Sequence, residues 1–293
     1  MSVDAHVVPD VAGVRRNLRA AGLGLAAFAV FSGADALVKL LTERLAVPQV
    51  TFLVTLAALM LLCAHAGLTG AGGSLLPRYP GLAVLRALLI AIDTLLIYYA
   101  FSLLPLSEAY LLAFLTPILV AVLAFVLLRE RLSPLAWGGV VLGFVGVAIA
   151  LRPGIAPLNL GHAAAAASAL VFALSLLLLR KAKATESDHA LVFSLLIVLA
   201  VVALSVAVAS GDLAPVGSTE IFFASAAGLF LLAGHLLLVR AFRMGDASVV
   251  APFQYSQIIW GCLYGALFFA APVELHTLAG AAVIVISGWL VLK

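Results

Sequence analysis

Residues 190–209 read ALVFSLLIVLAVVALSVAVA, twenty side chains with no charge among them. Twenty residues of α-helix rise about 30 Å, the thickness of a bilayer's hydrocarbon core. The polar groups in the run are Ser194 and Ser205, and a helical serine satisfies itself by bonding back to its own turn. Lipid offers no partner for a backbone N–H, so a helix that closes its own bonds is the form this stretch takes. It spans a membrane.

The same texture runs outward through the chain. Of 293 residues, 65% are apolar and 10% charged, with a mean hydropathy of +1.26. A soluble domain carries about 25% charged residues. Thirteen acids and sixteen bases are too few to coat a globule of this size, which excludes a soluble enzyme and a disordered chain. The net charge is +3, but no basic face exists for phosphates to meet, which excludes a nucleic-acid partner. Cys63 and Cys262 sit inside apolar runs and offer neither a disulfide framework nor a metal site. The polar lead from Met1 ends in Arg15, Arg16 and Arg19, and no small-residue cleavage site follows the first apolar run. That run reads as a retained helix, not a signal peptide.

Apolar stretches between breakers predict an all-α integral membrane protein of ten transmembrane helices. The spans are 20–41, 48–67, 81–103, 106–128, 134–151, 159–179, 190–209, 220–242, 248–270 and 275–292. Pro48, Pro105, Pro134, Pro153, Pro157, Gly211, Pro215, Gly245 and Pro272 punctuate them. The short alternating segments of a β-barrel do not occur. With the N-terminus in the cytoplasm, thirteen of the sixteen Lys and Arg residues fall on the inner side, Arg86 counted among them. Lys39, Arg44 and Arg152 fall outside. This bias follows the positive-inside rule and puts both termini in the cytoplasm.

The chain also resembles itself. Residues 95–101, LLIYYAF, line up with 236–242, LLLVRAF. Glu130 follows span 4 as Glu274 follows span 9, and Gly138 and Gly146 recur in spacing as Gly280 and Gly288. Five spans per copy is an odd number, so the second copy enters the membrane inverted, an arrangement transporters use to rock two bundles about a midplane site. The predicted organisation is a cytoplasmic segment 1–19, a first repeat 20–151, a periplasmic linker 152–158 and a second repeat 159–292.

Several motifs then fall into one pattern. They are Tyr99-Ala-Phe-Ser-Leu-Leu-Pro-Leu-Ser-Glu-Ala-Tyr110, Leu115-Thr-Pro117, Leu128-Arg-Glu130-Arg-Leu, Gly143-Phe-Val-Gly146 and Leu151-Arg-Pro-Gly154 in the first half. Ala251-Pro-Phe-Gln-Tyr255, Trp260 and Gly280-Ala-Ala-Val-Ile-Val-Ile-Ser-Gly288 continue it in the second. The sequence resembles the EamA family of the drug/metabolite transporter superfamily over residues 20–292, with Phe31 where many members carry Trp. The resemblance implies ten-helix bacterial inner-membrane carriers without a nucleotide-binding domain, most of them amino-acid exporters. It places spans 1, 3, 4, 6, 8 and 9 around a central cavity. Within the family, the group of aromatic amino-acid exporters is the nearest likeness.

Polar residues inside spans mark candidate functions, because an ionisable group at the bilayer centre costs about 2.5–3.5 kcal/mol on insertion scales. Asp93 lies mid-span with Thr94 beside it and Tyr98 and Tyr99 beyond, and the repeat pairs Thr94 with His235. These read as cavity groups, with interhelical bonding as the bland alternative for Asp93. Ser32, Asp35 and Lys39 share one face of span 1, either neutralising one another or meeting a zwitterion. Gln254, Gln257, Gly261 and Tyr264 form a stripe on span 9, with Tyr255 and Trp260 alongside. Amides suit a zwitterion's backbone groups and aromatic faces suit its side chain. Glu108 reads as a gate or a solvated cap, His162 as a surface group, and Ser168 and Ser175 as bonds to their own helix. Pro117 and Pro252 are candidate hinges.

No phosphate-binding loop is present, and no cofactor or metal is expected. The expected function is non-enzymatic: a gradient-driven carrier exporting amino acids, aromatic and neutral ones included, by alternating access. Uptake of a larger metabolite such as riboflavin or S-adenosylmethionine is the alternative. The expected partners are the small-molecule cargo and the bilayer, with the protein a monomer or weak homodimer.

Overall fold

The computed structural model describes residues 11–69, 77–128, 133–152, 157–181, 188–244, 251–272 and 274–291. Among them there is no strand. The helices are α1 (Val11–Thr42), α2 (Val47–Thr69), α3 (Pro80–Leu103), α4 (Leu106–Ala113), α5 (Thr116–Leu128) and α6 (Pro134–Leu151). Then follow α7 (Leu160–Lys181), α8 (Asp188–Ser210), α9 (Ser218–Met244), a 3₁₀ segment (Ala251–Ser256), α10 (Gln257–Phe269) and α11 (Leu275–Val291). Six stretches are long and apolar enough to cross a membrane, and 137–151, 160–175 and 275–290 are shorter apolar helices. The expected count of ten transmembrane helices is therefore not shown helix for helix among the described residues. Helix α1 also begins about ten residues before the expected boundary, carrying Arg15, Arg16 and Arg19 exposed on its first turns.

Two spans are broken, and both are the fourth of their half. Pro117 lacks the N–H that would bond the carbonyl of Ala113. The backbone turns at Phe114 and Leu115, where Leu115 N–H bonds Leu112 O at 3.0 Å, and α5 restarts at Thr116. Proline fits the first turn of the new helix, where the missing donor has no partner to lose. The ninth span opens as a 3₁₀ segment containing Pro252 before it becomes α10. Both proposed hinge prolines thus stand at the two breaks.

Packing repeats the twofold pattern read from the sequence. Helix α1 packs on α9 as α7 packs on α3, α2 on α9 as α8 on α3, and α5 on α7 as α10 on α1. The pairs α2–α8 and α6–α11 each join equivalent helices of the two halves. Between α6 and α11 the backbones nearly touch: a Cβ on Gly280 would lie 2.7 Å from the Gly146 carbonyl, and one on Gly146 3.1 Å from that of Gly280. Small residues permit the close contact on which membrane helices rely in place of a hydrophobic driving force. The main core gathers Phe101, Leu106, Leu111, Phe114, Ile118 and Ile284.

Candidate substrate site

Two carboxylates lie in the interior. Asp35 on α1 accepts a hydrogen bond from the Tyr110 hydroxyl of α4 at 2.7 Å. Asp93 on α3 accepts one from the Ser168 hydroxyl of α7 at 2.5 Å, so Ser168 reaches across helices instead of back to its own turn as expected. The two acids are within electrostatic reach of each other, with Tyr98, 4% exposed, beside both. Ser32 is buried next to Tyr110 with its own hydroxyl unpartnered. Both acids are half-buried. Among the described residues neither is in an ion pair.

Lys39 does not neutralise Asp35, contrary to one of the two expectations for this face. Its ammonium donates to the carbonyls of Phe101 at 2.6 Å and Leu104 at 2.9 Å, and sits 5.3 Å from the Phe269 ring centre. The cause lies in α3. The helical donor for the Phe101 carbonyl would be residue 105, a proline without an N–H. Orphan carbonyls at a helix C-terminus also carry its negative dipole end. Lys39 thereby ties α1 to α3 at one end of the bundle, called here the Lys39 end. At that end Glu108 lies 3.6 Å from His162, which also meets Asn159, and exposed Arg44 pairs with Glu220 at 3.2 Å.

Toward the other end stands a residue that sequence reasoning assigned to the loops. Arg86 lies in the second turn of α3, seven residues before Asp93 on the same face and so about 10 Å along the axis. Its Nε is buried without a hydrogen-bond partner. His235 of α9 is within electrostatic reach of it. The His235 ring packs edge-on to Phe31 at 5.0 Å, an approach that Gly234 permits, since a Cβ there would lie 2.6 Å from the Phe31 ring. The signal for Arg86 was its register: residues i and i+7 share a helix face.

The span-9 residues divide between the 3₁₀ segment and α10. Gln254 and Gln257 are half-buried. Tyr255 is buried edge-on to Phe114 at 5.2 Å, its hydroxyl unpartnered. Gly261 receives the ring of Tyr110. Trp260 stacks on Tyr264 at 6.5 Å with its indole N–H buried and unpartnered, and the Tyr264 hydroxyl lies beside Gly33 of α1. Tyr98, Phe101, Tyr110, Phe114 and Tyr255 form a continuous aromatic run from α3 through α4 to the 3₁₀ segment. Two expected residues stand apart from these contacts: Thr94 bonds the Ile90 carbonyl of its own helix, and Tyr99 is 38% exposed.

The arrangement has a chemistry. Two acids, one arginine and an aromatic shelf, several of their polar atoms unsatisfied, face the interior of a bundle whose two halves pack with twofold regularity. Unpartnered buried polar groups are costly and call for a ligand or water.

Residues 18–152 and 159–293 each match the profile of the EamA-like transporter family. An S-adenosylmethionine uptake transporter of Rickettsia bellii is 28% identical over 208 residues, 70% of each chain. A riboflavin transporter of Rhizobium johnstonii is 26% identical over 216 residues, 74% of this chain and 71% of that one. A pseudopaline exporter of Pseudomonas aeruginosa is 25% identical over 264 residues, 90% of this chain and 92% of that one. A crystal structure superposes with a TM-score of 0.67 over 92% of this chain and 95% of that one, at 21% identity. That last likeness is one of fold. None of the three named relatives carries the name of an aromatic amino-acid exporter.

Proposed function

The chain belongs to the EamA-like transporter family, and from that premise we propose a gradient-driven carrier for amino-acid-derived metabolites that bear a cationic group and a flat ring. One observation carries the reading: Asp35 and Asp93, interior and near each other, have hydroxyl partners but no basic one among the described residues. Carboxylates in low dielectric need positive charge close by, whether a proton or the cation of a cargo. The Trp260–Tyr264 stack and Phe31 offer ring faces, which suit aromatic groups and favour cations as well.

Two acids against one arginine favour a cargo with more positive than negative charge. S-adenosylmethionine, for which the Rickettsia relative is named, has this balance in its sulfonium, ammonium and carboxylate. Export of neutral and aromatic amino acids is the second reading, supported by the scarcity of fixed charge elsewhere in the interior. Riboflavin lacks a cationic group for the acids and fits less well.

Alternating access fits the asymmetry of the packing. Helices α1 and α3 meet through Lys39, whereas the pair related to them by the repeat, α7 and α9, has no comparable packing among the described residues. This supports a carrier closed at the Lys39 end, which the charge distribution assigns to the outside. Exchanging which pair is packed exposes the site to the opposite face.

The test is counterflow into liposomes of labelled S-adenosylmethionine, phenylalanine, threonine and riboflavin. The expected order is S-adenosylmethionine first and amino acids next, with riboflavin static. Movement of riboflavin, with none of the ammonium-bearing solutes moving, would overturn the reading.

A further inference from the structure

Resting on that reading of the site, we infer that Arg86 is the anion subsite that receives the cargo's carboxylate, so that the cargo lies along α3 with its cation toward Asp93. Three observations lead there. Arg86 stands within the helix, its Nε sealed from solvent and bonded to nothing. Among the described residues no acid answers it: Asp93, two helical turns further along, is engaged with Ser168, and Asp35 with Tyr110. His235 of α9, within electrostatic reach, does not neutralise it.

A guanidinium left so exposed in free energy recognises a planar oxyanion, because its paired N–H groups match the two oxygens of a carboxylate. The separation adds a length criterion. Arg86 and Asp93 are seven residues apart on one face, about 10 Å along the helix. An α-amino acid carries its ammonium and carboxylate on one carbon and occupies one pole at a time. A cargo whose cation is several bonds removed from its carboxylate engages both. Arg86 therefore sets the carrier's preference for an acid over the same molecule without its carboxylate, while Asp93 sets the preference for the cation.

The experiment compares three acids with their decarboxylated forms as competitors of counterflow: S-adenosylmethionine, arginine with agmatine, and phenylalanine with phenethylamine. In the wild type the elongated acids compete about tenfold or more better than their decarboxylated forms, the range of one charge-assisted bidentate contact. In R86Q the two forms of each compete equally, and R86K restores part of the difference. The ratio within a pair is independent of how much protein folds, and R86K guards against a glutamine variant that fails to insert. If the wild type does not separate acid from decarboxylated form, or R86Q still does, the subsite is refuted and the carrier reading stands. If none of the six compounds competes or moves, the carrier reading falls and the subsite with it.

Discussion

Replacing Lys39 by methionine keeps the length of the side chain and removes its charge. The wild-type ammonium donates at 2.6 and 2.9 Å to two carbonyls at the end of α3 and lies 5.3 Å from the Phe269 ring. Two charge-assisted bonds contribute about 1.5–3 kcal/mol each and the ring contact about 0.5–1. Against this stands the cost of holding an ammonium away from water, about 2.5–3.5 kcal/mol if it lay at full depth. The net bias is about 1–3 kcal/mol, or roughly 5- to 150-fold in a two-state equilibrium. All of it acts on the state in which α1 and α3 are joined. K39M therefore shifts the carrier toward opening at the Lys39 end. The assay places a cysteine at Ser32, buried here, in a chain with Cys63 and Cys262 changed to serine. Labelling by a membrane-impermeant maleimide from the Lys39 side then rises by at least fivefold in K39M. A folded K39M protein with lower thermal stability but unchanged labelling refutes the gate and leaves Lys39 as a helix cap only.

Two further outcomes follow from the same geometry. Asp93→Asn keeps an acceptor for Ser168 but removes the charge, and counterflow of cationic cargo drops by tenfold or more while melting temperature stays within a few degrees. Gly280→Leu forces a side chain into the Gly146 carbonyl, which a Cβ alone would approach to 2.7 Å, and overpacking of this kind costs about 1–3 kcal/mol or more. Its detergent melting temperature falls, and Gly280→Ala, with only the Cβ to accommodate, falls less.

The spans and their breaks were readable because they rest on the strongest sequence signals: lipid demands long apolar runs, and proline removes a donor wherever it stands. Pro117 and Pro252 mark the two interrupted spans accordingly. Inward direction was harder to read. In a soluble helix the apolar stripe identifies the buried face, but lipid is as apolar as a core, so both faces of α3 look alike. Arg86 consequently passed for a flanking charge at the membrane edge. The same blindness hid Ser168, whose choice between its own helix and Asp93 depends on where α7 sits. Lys39 was misassigned for another reason. Asp35 is its helical neighbour, but the orphan Phe101 carbonyl created by Pro105 lies 62 positions away in sequence.

The duplication itself separates what the fold needs twice from what the site needs once. The offset that aligns residues 95–101 with 236–242 pairs Lys39 with Arg180, Asp35 with Leu176 and Asp93 with Gly234. A basic residue stands at both of the first pair of positions. The acids are not kept: their counterparts are a leucine and a glycine. A strictly symmetric site would present the same charge to both poles of its cargo and so bind a dipolar molecule equally in either direction. Divergence at these positions breaks that degeneracy. In the proposed site the first half supplies the charged groups, Asp35, Asp93 and Arg86. The second half supplies His235, Gln254, Gln257, Trp260 and Tyr264, the amide and ring surface against which the cargo lies. On the proposed reading, packing symmetry lets the bundle rock, and chemical asymmetry gives the cargo one way round.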